Sequence, residues 1–224
     1  RIPGLLFDGL HYSGNQSQAP HITTVVFEEG GICADIGVRA FGYCAYLTSI
    51  QIPQSMNSIR GNAFYMCEAL ETVYAHSVHS WLIIDFSEPT SNPMYYGADL
   101  IINGQPVGDI VIPDGFRDIP NYAFYGCKNL TGVVISDSVQ SIPFHAFYNC
   151  TALTSVTVGK GVTMIFNSAF AGCTALEELI FNAVSCERVD MNNEAFYNAG
   201  SLGSGITVTF GAEVQMVPEN LFGG

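Results

Sequence analysis

The dipeptide Ala-Phe returns through this chain at a near-constant interval, and that interval limits what the chain can fold into. Its phenylalanines are Phe41, Phe64, Phe124, Phe147, Phe170 and Phe196, with spacings of 23, 60, 23, 23 and 26 residues. A degenerate Leu221-Phe222 follows 26 residues later. Three residues past Phe stands a cysteine in five units: Cys44, Cys67, Cys127, Cys150 and Cys173. Three further on stands a leucine: Leu47, Leu70, Leu130, Leu153 and Leu176. Self-similarity at this period is the signature of a stacked repeat array.

Each part of the unit has a physical reading. Phe, Cys and Leu at i, i+3 and i+6 share one face of a short helical turn. The segment after Leu is rich in Val, Ile and Thr and alternates inward and outward, as in Leu47, Ile50, Ile52 and in Leu153, Val156, Val158. That pattern predicts a short strand. Pro53 and Pro113 suit strand ends, where no ladder donor is needed. Two apolar residues three apart then lead to the next Ala-Phe, as in Met56 and Ile59, Val139 and Ile142, or Val162 and Ile165. One such unit cannot bury its own apolar face, so only stacking completes a core.

Between Phe64 and Phe124 the frame breaks. This stretch holds Trp81, the apolar run 82–86, Ser91-Asn92-Pro93, Leu100-Ile101-Ile102 and then Asn103-Gly104. Asn-Gly between apolar runs predicts a β-hairpin. We read one atypical repeat with an irregular insert at 76–109, after which Ile110-Val111-Ile112-Pro113 resumes the frame. The whole of 1–224 reads as a single solenoid domain, with 1–20 an irregular N-terminal segment.

The frame Ala-Phe-x-x-Cys-x-x-Leu-x-x-Val-x-Ile-Pro resembles the BspA-type leucine-rich repeats. The unit Trp81…Ser91-Asn92-Pro93…Asn103-Gly104 is similar to an insert that recurs in that group. The resemblance spans roughly residues 20–224. It implies an α/β repeat solenoid, a leucine-rich-repeat-like right-handed coil of parallel strands and short helical turns. It also implies a secreted or cell-surface protein of a host-associated bacterium that binds host protein, matrix or glycan without enzymatic activity. The last frame departs from the pattern, with Ala199 where Cys would stand.

Charge narrows the partners. Seven Lys and Arg against twenty Asp and Glu give a net charge of −13. Nucleic acid and anionic membrane both select a basic footprint, so neither is an expected partner. No stretch approaches the roughly 20 apolar residues that span a bilayer, so no direct membrane insertion is expected. No secretory signal or anchor is visible, and the first residue is Arg.

Several residues invite a chemical role. Seven cysteines suggest disulfides, but five share one helical position and Cys33 and Cys186 replace apolar residues, which predicts a column of small buried thiols. No Cys-x-x-Cys pair marks a zinc site. His76 and His79, near Glu68 and Glu71, form the one conceivable metal cluster, against the simpler reading of solvated loop histidines. His11, His21 and His145 have no partner in sequence. Asn15, Asn129 and Asn149 match the glycan-acceptor pattern. Tyr65, Tyr125, Tyr148 and Tyr197 follow the repeat Phe and predict an aromatic column outside the turn. There is no Gly-x-Ser-x-Gly, no His-Glu-x-x-His and no phosphate-binding glycine loop. No catalytic residue, cofactor or metal is expected.

The remaining candidate is the outward side of the strands: Thr48, Ser49, Gln51, Glu71, Thr72, Tyr74, Thr131, Val134, Thr154, Ser155, Thr157, Glu177, Glu178 and Ile180. It reads as a field of Thr and Ser with an acidic patch, suited to a polar protein or glycan ligand. Those Thr residues also serve strand propensity alone. The expected function is a non-enzymatic binding or adhesion module. A structural spacer in a longer surface array is the second reading. A polysaccharide-active β-helix enzyme is the third, disfavoured by the helical turn pattern and by the lack of a carboxylate cluster.

Overall fold

The computed structural model describes residues 21–28, 30–189 and 194–222. His11 and the acceptor Asn15 lie outside them. Contacts divide the chain into two units, Arg1–Pro106 and Val107–Gly224.

The first unit opens with β1 (Thr24–Val25) and β2 (Asp35–Ile36). There follow β3 (Ser49–Gln51), β4 (Ser58–Ile59) and β5 (Thr72–Ala75). A one-turn helix α1 (Val78–Leu82) precedes β6 (Asp85–Phe86), β7 (Asp99–Ile102) and β8 (Gln105–Pro106). The main sheet runs β1-β3-β5-β7-β8, parallel except for the last pair. Its inward row is Val25, Ile50, Val73 and Leu100. A second parallel ladder, β2-β4-β6, aligns Ile36, Ile59 and Phe86.

The irregular stretch keeps both ladders and changes only what joins them. Ser77 and Ser80 form a reciprocal capping box that starts α1, which buries Trp81 and Leu82. Asn103 and Gly104 take φ values of 50° and 73°, the left-handed pair that a two-residue hairpin needs. The hairpin between β7 and β8 therefore forms where the dipeptide predicts it.

The second unit contains β9 (Gly108–Ile112), β10 (Leu130–Ile135), β11 (Ser141–Ile142) and β12 (Ser155–Val158). It continues with β13 (Met164–Ile165), β14 (Glu178–Phe181), β15 (Arg188–Val189) and β16 (Thr207–Phe210). Its main sheet runs β9-β10-β12-β14-β16 and its small one β11-β13-β15, all parallel. The core rows are Ile110, Val133, Val156, Leu179 and Val208, then Ile112, Ile135, Val158 and Phe181, with Phe210 exposed at the end of the second row.

The repeat phenylalanines stand in register. Ring centroids of Phe124 and Phe147 lie 5.4 Å apart, those of Phe147 and Phe170 5.0 Å, with the planes within 4° of parallel. Phe41 and Phe64 stack at 5.5 Å in the first unit. This spacing is close to the strand separation of about 4.8 Å that the ladders impose, so ring stacking and backbone pairing share one rise. Phe196 keeps register with Phe170 at 5.0 Å despite the longer interval between them.

The Phe-x-x-Cys-x-x-Leu spacing is realised as consecutive turns rather than as α-helix. Cys150 N donates to Phe147 O and Leu153 N to Cys150 O, the i to i−3 bonds of such turns. Alternate amides leave the coil altogether: Phe147 N donates to Ala169 O at 2.8 Å and Asn149 N to Ala171 O at 2.8 Å. Residues two before and two after Phe adopt positive φ, including Tyr122, His145, Asn149 and Ser168. That conformation turns every second N–H toward the neighbouring coil. Turn content therefore gives no argument against an all-β enzyme fold. The connecting segments, read from sequence only as apolar pairs, form the second ladder in each unit.

All seven cysteines are free, and six are buried. Cys33 is the departure: it is half-buried, its thiol 3.7 Å from Asp35 O.

Candidate functional site

In each main sheet the side chains that alternate with the core rows point away from it. In the first unit the outward rows are Thr24, Ser49, Thr72, Asp99 and Gln51, Tyr74, Ile101. In the second they are Asp109, Gly132, Ser155, Glu178, Thr207 and Val111, Val134, Thr157, Ile180, Thr209. Nine of the expected surface residues thus fall in outward rows: Ser49, Gln51, Thr72, Tyr74, Val134, Ser155, Thr157, Glu178 and Ile180. The other five, Thr48, Glu71, Thr131, Thr154 and Glu177, are exposed just before these rows.

Several of the hydroxyls are already committed. Thr48 Oγ1 donates to Thr23 O and Thr154 Oγ1 to Thr131 O, both at 3.0 Å. Ser49 Oγ donates to Thr24 Oγ1 at 3.2 Å. Thr131 Oγ1 donates to Asp109 Oδ1 at 2.6 Å. These threonines stitch one coil to the one before it. Gly132 makes room for that carboxylate, since a Cβ there would stand 2.7 Å from Asp109 Oδ1 and 3.0 Å from Ser155 Oγ.

The second unit's face is more apolar than the sequence suggests. Val111 is 60% exposed and Val134 43%, and both share a row with Ile180. Val111 was missed because it sits at the edge of the irregular stretch, where the frame is hard to place. Glu177 and Glu178 form the expected acidic patch on the exposed surface.

The first unit carries a concave feature of about 760 Å³ over the ends of β1, β3 and β5. Residues 24–28, Gly30 and Gly31 form one wall. Gln51, Ile52, Pro53, Gln54 and Tyr74 contribute from the strand ends, and the Asn103-Gly104 turn lines it too. Tyr74 is 43% exposed. Among the described residues, no hydrogen bond takes up the side chains of Gln51, Gln54, Tyr74 or Asn103. Sequence reasoning named Gln51 and Tyr74 and predicted the hairpin. It did not bring them together, because only the β5-β7 pairing places Asn103 beside Ala75 O.

Other flagged residues go elsewhere. Among the described residues no three His, Cys, Asp or Glu side chains are placed to hold a metal. His76 lines the trough and His79 is exposed on α1. Tyr125 and Tyr148 stack at 4.8 Å, while Tyr65 pairs edge-on with Tyr43 at 5.5 Å. Tyr197 is exposed. His145 lies against Tyr122, Tyr125 and Tyr148, and its buried Nδ1 has no partner among the described residues. No helix among the described residues is long and apolar enough to cross a membrane.

Comparison with known families matches six copies of the BspA type leucine rich repeat region to residues 17–83 and 103–224. Among curated proteins nothing matches. Among solved structures, the chain is similar to a leucine rich cell surface protein from Faecalibacterium prausnitzii, at 18% identity and a TM-score of 0.42. That likeness covers 85% of this chain and 60% of the other. A leucine-rich repeat protein from Bacteroides ovatus is 20% identical, with a TM-score of 0.35, over 79% of this chain and 48% of the other. One from Eubacterium ventriosum is 15% identical, with a TM-score of 0.33, over 89% of this chain and 75% of the other. The chain thus spans about half to three fifths of the length of the first two.

Proposed function

The chain belongs to the BspA-type leucine-rich repeat family, and from that premise we propose that it is a non-enzymatic binding module of a bacterial surface or secreted protein. Its ligand is a host or matrix component, protein or glycan, held on the strand face. Adhesion is the role that fits such a module. The observation that carries this reading is the trough of the first unit, where Gln51 and Tyr74 on the β3-β5 ladder, with Gln54 and Asn103 in the flanking turns, keep hydrogen-bonding groups that no described residue takes up. A rigid sheet holding ready donors and acceptors loses little entropy on binding.

A purely structural spacer is the second reading. The Thr48 and Thr154 bonds favour it, since they turn ligand-type hydroxyls into coil-to-coil braces. One experiment separates the two. The protein is tested for binding to immobilised extracellular-matrix proteins and polysaccharides. Tyr74→Ala and Thr157→Arg change the strand faces, while Tyr65→Ala and Tyr148→Ala change the turn sides. Loss of capture confined to the strand-face variants is expected. Capture lost only in the turn-side variants, or no capture at all, overturns the proposal.

A further inference from the structure

Resting on the strand-face reading above, we propose that the trough of the first unit binds a neutral oligosaccharide, with a sugar ring seated on Tyr74 and its hydroxyls held by Gln51, Gln54 and Asn103.

Four observations lead to that ligand class. The first is the pairing of an exposed aromatic ring with side-chain amides. A pyranose has a face of C–H bonds and a rim of hydroxyls. The Tyr74 ring offers an apolar platform with a polar tip. Each amide offers a carbonyl acceptor beside two N–H donors, which matches a pair of neighbouring hydroxyls. No described residue takes up these groups in a hydrogen bond.

The second is charge. Among the described residues the lining holds no Lys or Arg, and its titratable side chains besides Tyr74 are Glu28 and His76. A sulfated, phosphorylated or uronic polymer would meet a carboxylate and no permanent cation, on a chain of net charge −13. Anionic recognition ordinarily uses Arg and Lys.

The third is the sheet edge. An extended peptide binds a sheet by adding a strand to a free edge. The edge strand beside the trough is β1, only two residues long, and the opposite edge strand is β8, equally short and ending in a proline. Little ladder is available to a peptide.

The fourth is size and preorganisation. A volume near 760 Å³ lies within the ~300–1,000 Å³ common for ligand clefts. Gln51 and Tyr74 are adjacent across the β3-β5 ladder, and Asn103 is fixed by its left-handed turn.

The test is affinity electrophoresis of the whole protein through gels containing soluble neutral glucans, mannan, galactan or xylan. Polygalacturonate and heparin serve as anionic counterparts. Retardation by at least one neutral polysaccharide is expected. Tyr74→Ala should weaken it about tenfold or more, a loss of about 1.4 kcal/mol. Tyr74→Phe should retain most of it. Gln51→Ala and Asn103→Gly should weaken it, the latter keeping the turn geometry. Tyr65→Ala, on the turn side of the same unit, should leave it unchanged. Emission from buried Trp81 reports that each variant is folded. Retardation by the anionic polymers alone, by none of the gels, or equally in folded Tyr74→Ala and wild type overturns the proposal. If matrix-protein capture still depends on strand-face residues in that case, the ligand class fails and the binding-face reading stands. If that capture is also absent, both fail.

Discussion

The thiol of Cys150 donates to the carbonyl oxygen of Phe124, one coil back, across 3.1 Å. Cys173 makes the same bond to Phe147 at 3.1 Å and Cys67 to Phe41 at 3.0 Å. Each of these carbonyls also accepts an amide within its own turn, such as Cys127 N to Phe124 O at 3.0 Å. A carbonyl has two lone pairs, and the thiol takes the second. Cysteine suits this place because it is small, apolar and still a weak donor. Valine would fill the volume without donating, and serine would bury a stronger polar group.

Burial pushes these thiols up. Cys44 rises from 9.0 to about 11. Cys67 and Cys150 also lie well above the ordinary range, chiefly through desolvation. A folded-state value above the unfolded one means that the native state holds its proton longer. That stability is fully present below about pH 9 and is lost as pH rises through the folded value. The thermal midpoint should fall between pH 9 and 11, and fall less steeply in Cys44→Ala. Identical slopes in the two proteins would remove the thiol from the explanation. A thiol reagent at pH 8 should modify Cys33 first in the native protein, and the other six only after denaturation.

Phe147 is fully buried between two parallel rings, whereas Phe222 is 48% exposed at the far end of the same column. Phe147→Ala should cost about 3–5 kcal/mol in denaturant unfolding, through lost burial and an unfilled cavity. Phe222→Ala should cost well under half as much, since half its surface is already wet. Equal costs would mean that the column does not bear on stability as its packing implies.

The repeat was legible because Phe, Cys and Leu recur at fixed intervals, and the hairpin because Asn103-Gly104 suits one turn almost uniquely. The second ladder was not legible: strands of two residues, such as β11 and β13, are too short to show alternation. The turns were read as helical because i, i+3, i+6 spacing is shared by helices and by successive i to i−3 turns. The decisive residues, Tyr122, His145 and Ser168, carry positive φ without being glycine, so nothing in their chemistry announces it. At the candidate site, sequence alternation separated inward from outward side chains correctly. It could not tell that the hydroxyls of Thr48 and Thr154 are spent on the neighbouring coil while Gln51 and Tyr74 are not.

Gly172 and Asn149 hold equivalent places in adjacent coils, both with positive φ. A Cβ on Gly172 would lie 2.1 Å from Asn149 Oδ1. Gly172→Ala therefore combines a left-handed alanine, costing about 1 kcal/mol or more, with displacement of the Asn149 side chain. A total near 2 kcal/mol is expected. Asn149→Ala in the same chain should recover part of it, because the obstructing amide is gone. A double-mutant cycle measures that coupling. Strict additivity would show that the two coils do not meet at this point.

His145 stands in a nest of uncharged rings, Tyr122, Tyr125 and Tyr148. Burial holds its pKa below the usual histidine value, and its Nδ1 is buried without a partner among the described residues. Protonation would place a charge on an atom with no acceptor beside it. The native state therefore resists protonation more than the unfolded chain does. Its contribution is present above the unfolded histidine value of about 6.5 and is lost as pH falls below it. Acidification also relieves the repulsion of a chain with net charge −13, so the raw pH profile mixes two opposite effects. A variant isolates the histidine. His145→Asn suits the left-handed backbone, since Asn62 occupies the corresponding position in the first unit with φ 56°. Between pH 7 and pH 5 the wild type should lose stability relative to His145→Asn, read as the difference of their urea midpoints. A difference that stays constant across that range would mean that His145 titrates as it does in the unfolded chain.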